Sequence, residues 1–416
     1  MSVTNIDRAT RIISRCREIA TCTEVPGEIT RRFLTPPMHS VHTLLRQWME
    51  AAGMTVRIDA IGNIRGLLQS PHSDAPRIII GSHLDTVPNA GAFDGILGVV
   101  LGIAVVEELQ GHRLPFSIEV IGFSEEEGVR FSKPFLGSLA VVGKLDEETL
   151  RRKDQDGVSL TNAITHYGLD PTRLPAAVLS EDAFAYLEFH IEQGPVLESE
   201  DAPLGVVEAL VGQTRVQFIF DGQANHAGTT PMRLRHDAMA AAARWIVAVE
   251  EYAVSHEGLV ATVGKLEASP GAGNVIAGRV KTSLDVRHAQ DEARHTAVTA
   301  LVESASSFAG VRGVKVTTHI EMDQPAVPLD PHLTTRLHNA ASKLGFSNRR
   351  MTSGAGHDAM ILAPSIPSAM LFLRSPGGLS HHPDEAVLPQ DVDAALATAM
   401  EFLAQLSDDK TKDDHA

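Results

Sequence analysis

The stretch RIIIGSHLDTVPNAGAFDG, residues 77–95, decides how the fold is read. Arg77-Ile78-Ile79-Ile80 is a short apolar, β-branched run, which predicts a buried strand over 77–81 of the kind found in parallel sheets. His83 and Asp85 then fall just beyond the carboxyl end of that strand, where open α/β sheets hold their ligands. Asp94 follows a loop containing Pro88, Asn89 and Gly91, and from residue 96 a helical pattern resumes. Imidazole and carboxylate are metal ligands, and Asp85 can accept the second ring N–H of His83 and set its tautomer. A buried His–Asp pair beside a turn-forming Asp is the structural alternative.

Outward from this core, the pattern alternates strand and helix. Helices are expected over 6–20 and 41–52, and an edge hairpin over 54–68 with Gly62-Asn63 at its turn. Helix 96–110 and strand 116–123 complete a βαβ order, which implies a parallel or mixed sheet covered by helices. Short helices and loops fill 143–182, and strands are expected at 185–191 and 204–210.

The character changes after Gly212. Strand 214–221, helix 237–254, strands 259–267 and 279–286, helix 291–309 and strand 313–321 make the β-α-β-β-α-β order of a ferredoxin-like unit. Helix 331–344, strand 366–373 and helix 390–406 then return to α/β. The expected architecture is therefore a discontinuous α/β catalytic domain with a mixed sheet (1–212 with 324–416), interrupted by an α+β domain (213–323). The polar tail from Ser407 is expected to fray.

Composition narrows the function classes. A chain of 416 residues exceeds one typical core, so two domains are the default. With 36 Lys and Arg against 52 Asp and Glu, the net charge of −16 disfavours nucleic acid and anionic membranes as partners. Cys16 and Cys22 alone make neither a zinc site nor a disulfide framework, which fits a reducing compartment. The N-terminus has no signal-peptide pattern, and no apolar stretch reaches the roughly 18 residues of a membrane span. A cytoplasmic protein is expected.

Further polar groups sit at strand ends of the α/β unit. Glu125-Glu126-Glu127 follow strand 116–123, and clustered carboxylates there are costly unless a cation is present; otherwise they form a solvated acidic loop. His190 closes a strand in FHIEQG, as a ligand or as a satisfied structural residue. His382 in SHHPDE can complete the set, with His381 as its local competitor. Together these residues suggest a two-metal centre with an Asp bridge. In the interrupting domain, His226 lies in a Gly-rich loop, Asn274 lies in GAGNVIAG, and Arg287 ends a strand as a carboxylate clamp or a surface cation. SGAGHDA (353–359) is an anion-binding loop or a tight turn.

The segments GSHLDTV, GAFDG, EEEGVRF, HIEQGPVLE, NHAGTTPM, SGAGHDA and SHHPDE, in this order, resemble the di-metal amidohydrolases of the M20 peptidase-like family. Within it they are similar to the branch of allantoate amidohydrolases, N-carbamoyl-L-amino acid hydrolases and β-ureidopropionases. The resemblance implies a zinc-peptidase-like catalytic domain and an inserted domain that acts as a lid and forms a homodimer. It implies two divalent cations, Mn or Zn, with Co or Ni also compatible. Their ligands would be His83, Asp94 as the bridge, Glu127, His190 and His382, with Glu126 as general base and Asp85 in support. Gln193 would contact a ureido group, and His226 would stabilise the oxyanion from the partner subunit or after closure. Gln213, Asn274 and Arg287 would bind a small ureido carboxylate, and Gly356 would line the pocket. The stretches IGFSEEEGVRF, VGQTR and SGAGHDAM look most like enzymes that convert allantoate to ureidoglycine, ammonia and carbon dioxide. N-Carbamoyl-L-amino acid hydrolase or β-ureidopropionase is the alternative, and a non-catalytic ligand-binding relative is a remote one.

Overall fold

The computed structural model describes residues 3–109, 112 and 114–413, and the chain divides into two compact units. Unit 1 comprises 1–208 and 329–416; unit 2 is the intervening 209–328, so the second boundary pair lies a few residues outside the expected 213–323.

Unit 1 is built on a mixed sheet. Its strands are β1 (Thr55–Ile58), β2 (Ile64–Leu68), β3 (Arg77–His83), β4 (Ser117–Phe123), β5 (Ala183–Ile191) and β6 (Leu204–Leu210). The sheet runs β1-β2-β4-β3-β5, then the late strand Ser368–Leu373, then β6. β3 is parallel to β4 and β5, and β5 is parallel to Ser368–Leu373. Their carboxyl ends therefore share one edge, which is what brings distant segments together. β1 and β2 form the expected hairpin at the sheet margin.

Helix Ile96–Glu108 is buried along its entire apolar run from Ile96 to Val106, as a helix without a polar face must be. Residue 110, the expected end of that helix, lies outside the described residues. The C-terminal helix runs Pro389–Asp413, so residues 407–413 continue it and do not fray as expected. Phe402, Leu403 and Leu406 anchor that helix in the main core, and Lys and Asp tolerate helical geometry beyond it.

Unit 2 contains β7 (Gly212–Asp221), β8 (Asn225–His226), β9 (Val260–Thr262), β10 (Leu266–Ser269), β11 (Val275–Ile276), β12 (Arg279–His288), β13 (Lys315–Gln324) and β14 (Val327–Pro328). The sheet order β10-β12-β7-β13, antiparallel throughout, is that of a ferredoxin-like unit. Helices Ala238–Val254 and Asp291–Gly310 bury Trp245, Ala241 and Leu301 against Val216, Phe218, Phe220 and Leu284. The single strand expected over 259–267 is two short ones, β9 and β10, that pair with different stretches of β12. Back in unit 1, β15 (Asn348–Ser353), which pairs with β6, was not expected; its polar NRRMTS carries no strand signal. The strand Ser368–Leu373 is β16.

No helix among the described residues is long and apolar enough to cross a membrane.

Candidate metal centre

The shared edge of β3, β4, β5 and β16 gathers the polar residues of unit 1. His83 ends β3, Glu125 to Glu127 follow β4, and His190 lies next to the end of β5. Asp94 arrives on the loop between β3 and helix Ile96–Glu108. Gly95 makes that turn possible: its φ is +67°, and a Cβ there would lie 2.4 Å from the His83 ring.

Asp94 is the hub. Its Oδ1 lies 3.2 Å from His190 Nε2 and 3.7 Å from His83 Nε2, while its Oδ2 lies 3.2 Å from His381 Nε2. His381 Nε2 is also 3.4 Å from Glu127 Oε1. Ligand atoms of His83, Asp94 and His190 lie within 4.8 Å of one another, as do those of Asp94, Glu127 and His381, and those of His83, Glu126 and Glu127. Two donor sets thus share one carboxylate.

The imidazole orientations test whether a cation fits. His83 Nδ1–H donates to the Asp85 carbonyl (3.0 Å) and His190 Nδ1–H donates to the Ile191 carbonyl (2.9 Å). Both Nε2 atoms therefore turn inward and face each other at 3.3 Å, beside a carboxylate oxygen. Two nitrogen lone pairs and an anion at such range repel unless positive charge lies among them. A backbone carbonyl on Nδ1 is also the usual outer partner of a metal-bound imidazole. The donor set fits a divalent cation of the Zn, Mn, Co or Ni type.

The charge balance says the same. Burial alone would raise the Asp94 carboxyl, but hydrogen bonds from His381 and His83 hold it well below the usual range. Those with Asp94 and Glu127 push His381 up to about 10. Burial would lower His83, yet Asp85 and Asp94 raise it well above its ordinary value, whereas burial brings His190 down to about 4. Protons on the His83 and His381 rings supply the positive charge that the carboxylates demand, and a bound cation would release them. Glu126 is pushed well above the carboxylate range by burial and by Glu127, Asp358 and Asp85, against the pull of His83.

The placements correct one expectation. His382, expected as a ligand, turns away: its Nδ1 accepts the Asp384 N–H at 3.2 Å, which commits the ring to a local turn. His381, the competitor, reaches Asp94 and Glu127 instead, from a left-handed backbone (φ 55°). Asp85 does more than expected: the His83 Nδ1 lies 3.0 Å from its backbone carbonyl and 3.5 Å from its carboxylate Oδ1, and the carboxylate also accepts the N–H groups of Glu126 (2.9 Å) and Glu127 (3.1 Å) and fixes the glutamate turn. Gln193, also left-handed at φ 61°, donates its amide to Asp94 (3.2 Å) and Ser380 (3.0 Å). Strained backbone at Gln193 and His381, both aimed at Asp94, is the kind found at functional sites. Gly356 lies against the ring of Phe135.

Residues not expected also border the cluster. His357 is fully buried, with its ring 4.3 Å from that of His190 and its Nε2 on Ser353 Oγ at 2.9 Å. Glu188 accepts the Ala359 N–H (2.8 Å), and Asp358 is wholly buried beside it in charge. HD inside SGAGHDA was the available signal, but burial of charged groups cannot be read from one sequence.

In unit 2 the polar residues are more exposed. His226 Nδ1 accepts the N–H groups of Gly228 (3.0 Å) and Thr229 (3.2 Å), which leaves the proton on Nε2 as a donor. β8 pairs with β11, and the Asn274 carbonyl accepts the Ala227 N–H (2.9 Å), so the His226 and Asn274 segments adjoin. Arg287, opposite Gln213 in the β12–β7 register, donates Nε to Asp285 Oδ1 at 2.9 Å. Gln213 and Arg215 also donate to Asp285.

The pattern describing peptidase family M20/M25/M40 matches residues 79–408. The chain belongs to that family. It is 37% identical, over 94% of its length and 87% of the relative's, to a probable allantoate deiminase of Oryza sativa subsp. japonica. It is 39% identical, over 92% of its length and 94% of the relative's, to an N-carbamoyl-L-amino acid amidohydrolase of Geobacillus stearothermophilus. A crystal structure of a hydantoinase/carbamoylase family amidase from Burkholderia multivorans superposes with a TM-score of 0.90 at 32% identity, covering 96% of this chain and 98% of that one.

Proposed function

We propose that this M20 member hydrolyses a ureido C–N bond in a small carboxylate, with allantoate as the leading substrate and ureidoglycine, ammonia and carbon dioxide as products. The observation that carries this reading is the Asp94 carboxylate shared between a His83–His190 side and a His381–Glu127 side, with buried Glu126 adjoining both. Two divalent cations would be held there by His83, Asp94 and His190 and by Asp94, Glu127 and His381. Cations so bound would polarise the ureido carbonyl and acidify the attacking water.

The chain's own groups supply the rest. Glu126 takes the water proton and delivers it to the leaving nitrogen. Water adds to the ureido carbon, the C–N bond breaks, and the carbamate released decomposes to ammonia and carbon dioxide. His226, with its proton on Nε2, is proposed to donate where negative charge develops on the carbonyl oxygen. Arg287, Asn274 and Gln213 are proposed to bind the substrate carboxylate, and Gln193 the ureido group. Exposed Val260, Leu266 and Ile320 on the strands of unit 2 support self-association through that unit.

A second reading, N-carbamoyl-L-amino acid hydrolysis, is favoured by the 39% identity to the Geobacillus stearothermophilus relative. The test is ammonia release by the cation-reconstituted chain from allantoate and from N-carbamoyl-L-methionine, with and without chelator. Allantoate turnover that chelation abolishes is expected. Preference for carbamoyl-methionine moves the assignment to the second reading, and no ammonia from either substrate overturns both.

A further inference from the structure

Glu385 lies near the end of the SHHPDE segment, outside the residues assigned so far. It is 5% exposed although its side chain is acidic, and among the described residues no Lys or Arg forms a salt bridge with it. Its Oε1 accepts two backbone N–H groups, from Phe93 at 2.8 Å and from Asp94 at 3.0 Å. Those amides belong to the loop that presents the Asp94 carboxylate, 292 and 291 residues earlier in the chain. Its own backbone N–H donates to the His382 carbonyl at 3.0 Å, so the turn after His381 is closed by the same residue. The approach is tight on the far side too: a Cβ on Gly91 would lie 2.3 Å from the Glu385 Cβ, so Gly91 leaves the space the carboxylate needs.

We infer that Glu385 is a positioning residue that holds the Asp94 loop and the His381 turn in register, and so sets cation affinity without touching a cation. The inference rests on the metal-centre reading above. The reasoning is geometric. Asp94 and His381 must meet within 3.2 Å, yet they sit on loops with no regular pairing between them. A single oxygen that accepts consecutive N–H groups fixes both the height and the tilt of residues 93–94. Neutral or ionised, the carboxyl keeps an acceptor at Oε1, so this function does not depend on its charge. Outer partners of this kind typically carry about 10- to 100-fold in metal affinity.

That charge independence supplies the test. Co²⁺ binding to the full-length chain is measured by its visible absorption and by competition with a chromophoric chelator. Glu385→Gln, which retains an amide oxygen at the same place, is expected to bind within about 3-fold of wild type. Glu385→Ala is expected to bind about 10- to 100-fold more weakly and to give an altered Co²⁺ spectrum. Gly91→Ala, which leaves Glu385 in the sequence but crowds it, is expected to weaken binding in the same direction, and it decides the matter if Glu385→Ala does not fold. Unchanged affinity in Glu385→Ala or Gly91→Ala, or a loss in Glu385→Gln equal to that in Glu385→Ala, overturns the inference while the metal centre stands. Failure of the wild-type chain to bind Co²⁺ overturns the metal-centre reading and this inference with it.

Discussion

The polar residues of the two units differ in one physical respect. In unit 1, His83, Asp94, Glu126 and His190 are almost wholly buried; the two imidazoles are held by backbone carbonyls, Asp94 lies against them, and the Glu126 backbone is held by the Asp85 carboxylate. In unit 2, His226 and Asn274 are exposed, and Arg287 is partly exposed and paired with Asp285. Buried charge is tolerable only where opposite charge is supplied, so the first set is rigid and tuned to a cation. Groups left in water keep their donors available at small cost and suit contacts made and broken at each turnover. Under the proposed function, the contrast would separate a site that activates from groups that recognise.

Four substitutions test that contrast. The largest effect is expected on the buried side. Glu126→Gln should retain cation content and lose about 10²- to 10⁴-fold in kcat, the range of a general acid–base group. Near-normal kcat would move the base to Glu125 or Glu127. Next, His381→Ala should lower cation affinity by about 100-fold or more, beyond the loss of an outer partner. His382→Ala should leave affinity near wild type, because that ring serves a local turn. Equal losses in titrations of the two variants would erase the distinction. The smallest effect belongs to the exposed side. Arg287→Ala should raise KM by about 30-fold, a charge-assisted hydrogen-bond pair being worth ~2 kcal/mol, with cation content unchanged. Loss of cation from this variant would break the division of labour between the units.

Much of this was legible in residue order. The β-branched run before GSHLD, the βαβ sequence around it and the β-α-β-β-α-β series after Gly212 each carry a local period, and local periods survive without tertiary information. The same is true of the candidate set His83, Asp94, Glu127 and His190, whose places at strand ends follow from strand direction. Signals failed where no period exists. NRRMTS is too polar to announce β15, and the polar tail continued as helix because its start was anchored in the core. The glutamate run showed acids but not which oxygen points where.

Chemistry and connectivity were thus a property of the chain: which side chains carry imidazole or carboxylate, and that each follows a strand of one α/β unit. Choosing His381 over its neighbour, tying Asp94 to Glu385 across the length of the chain, and setting the Asp85 carboxylate on the Glu126 and Glu127 N–H groups were decisions of tertiary structure. Adjacent residues point in different directions once the backbone turns, and a turn closed by partners hundreds of residues away leaves no trace in its own composition.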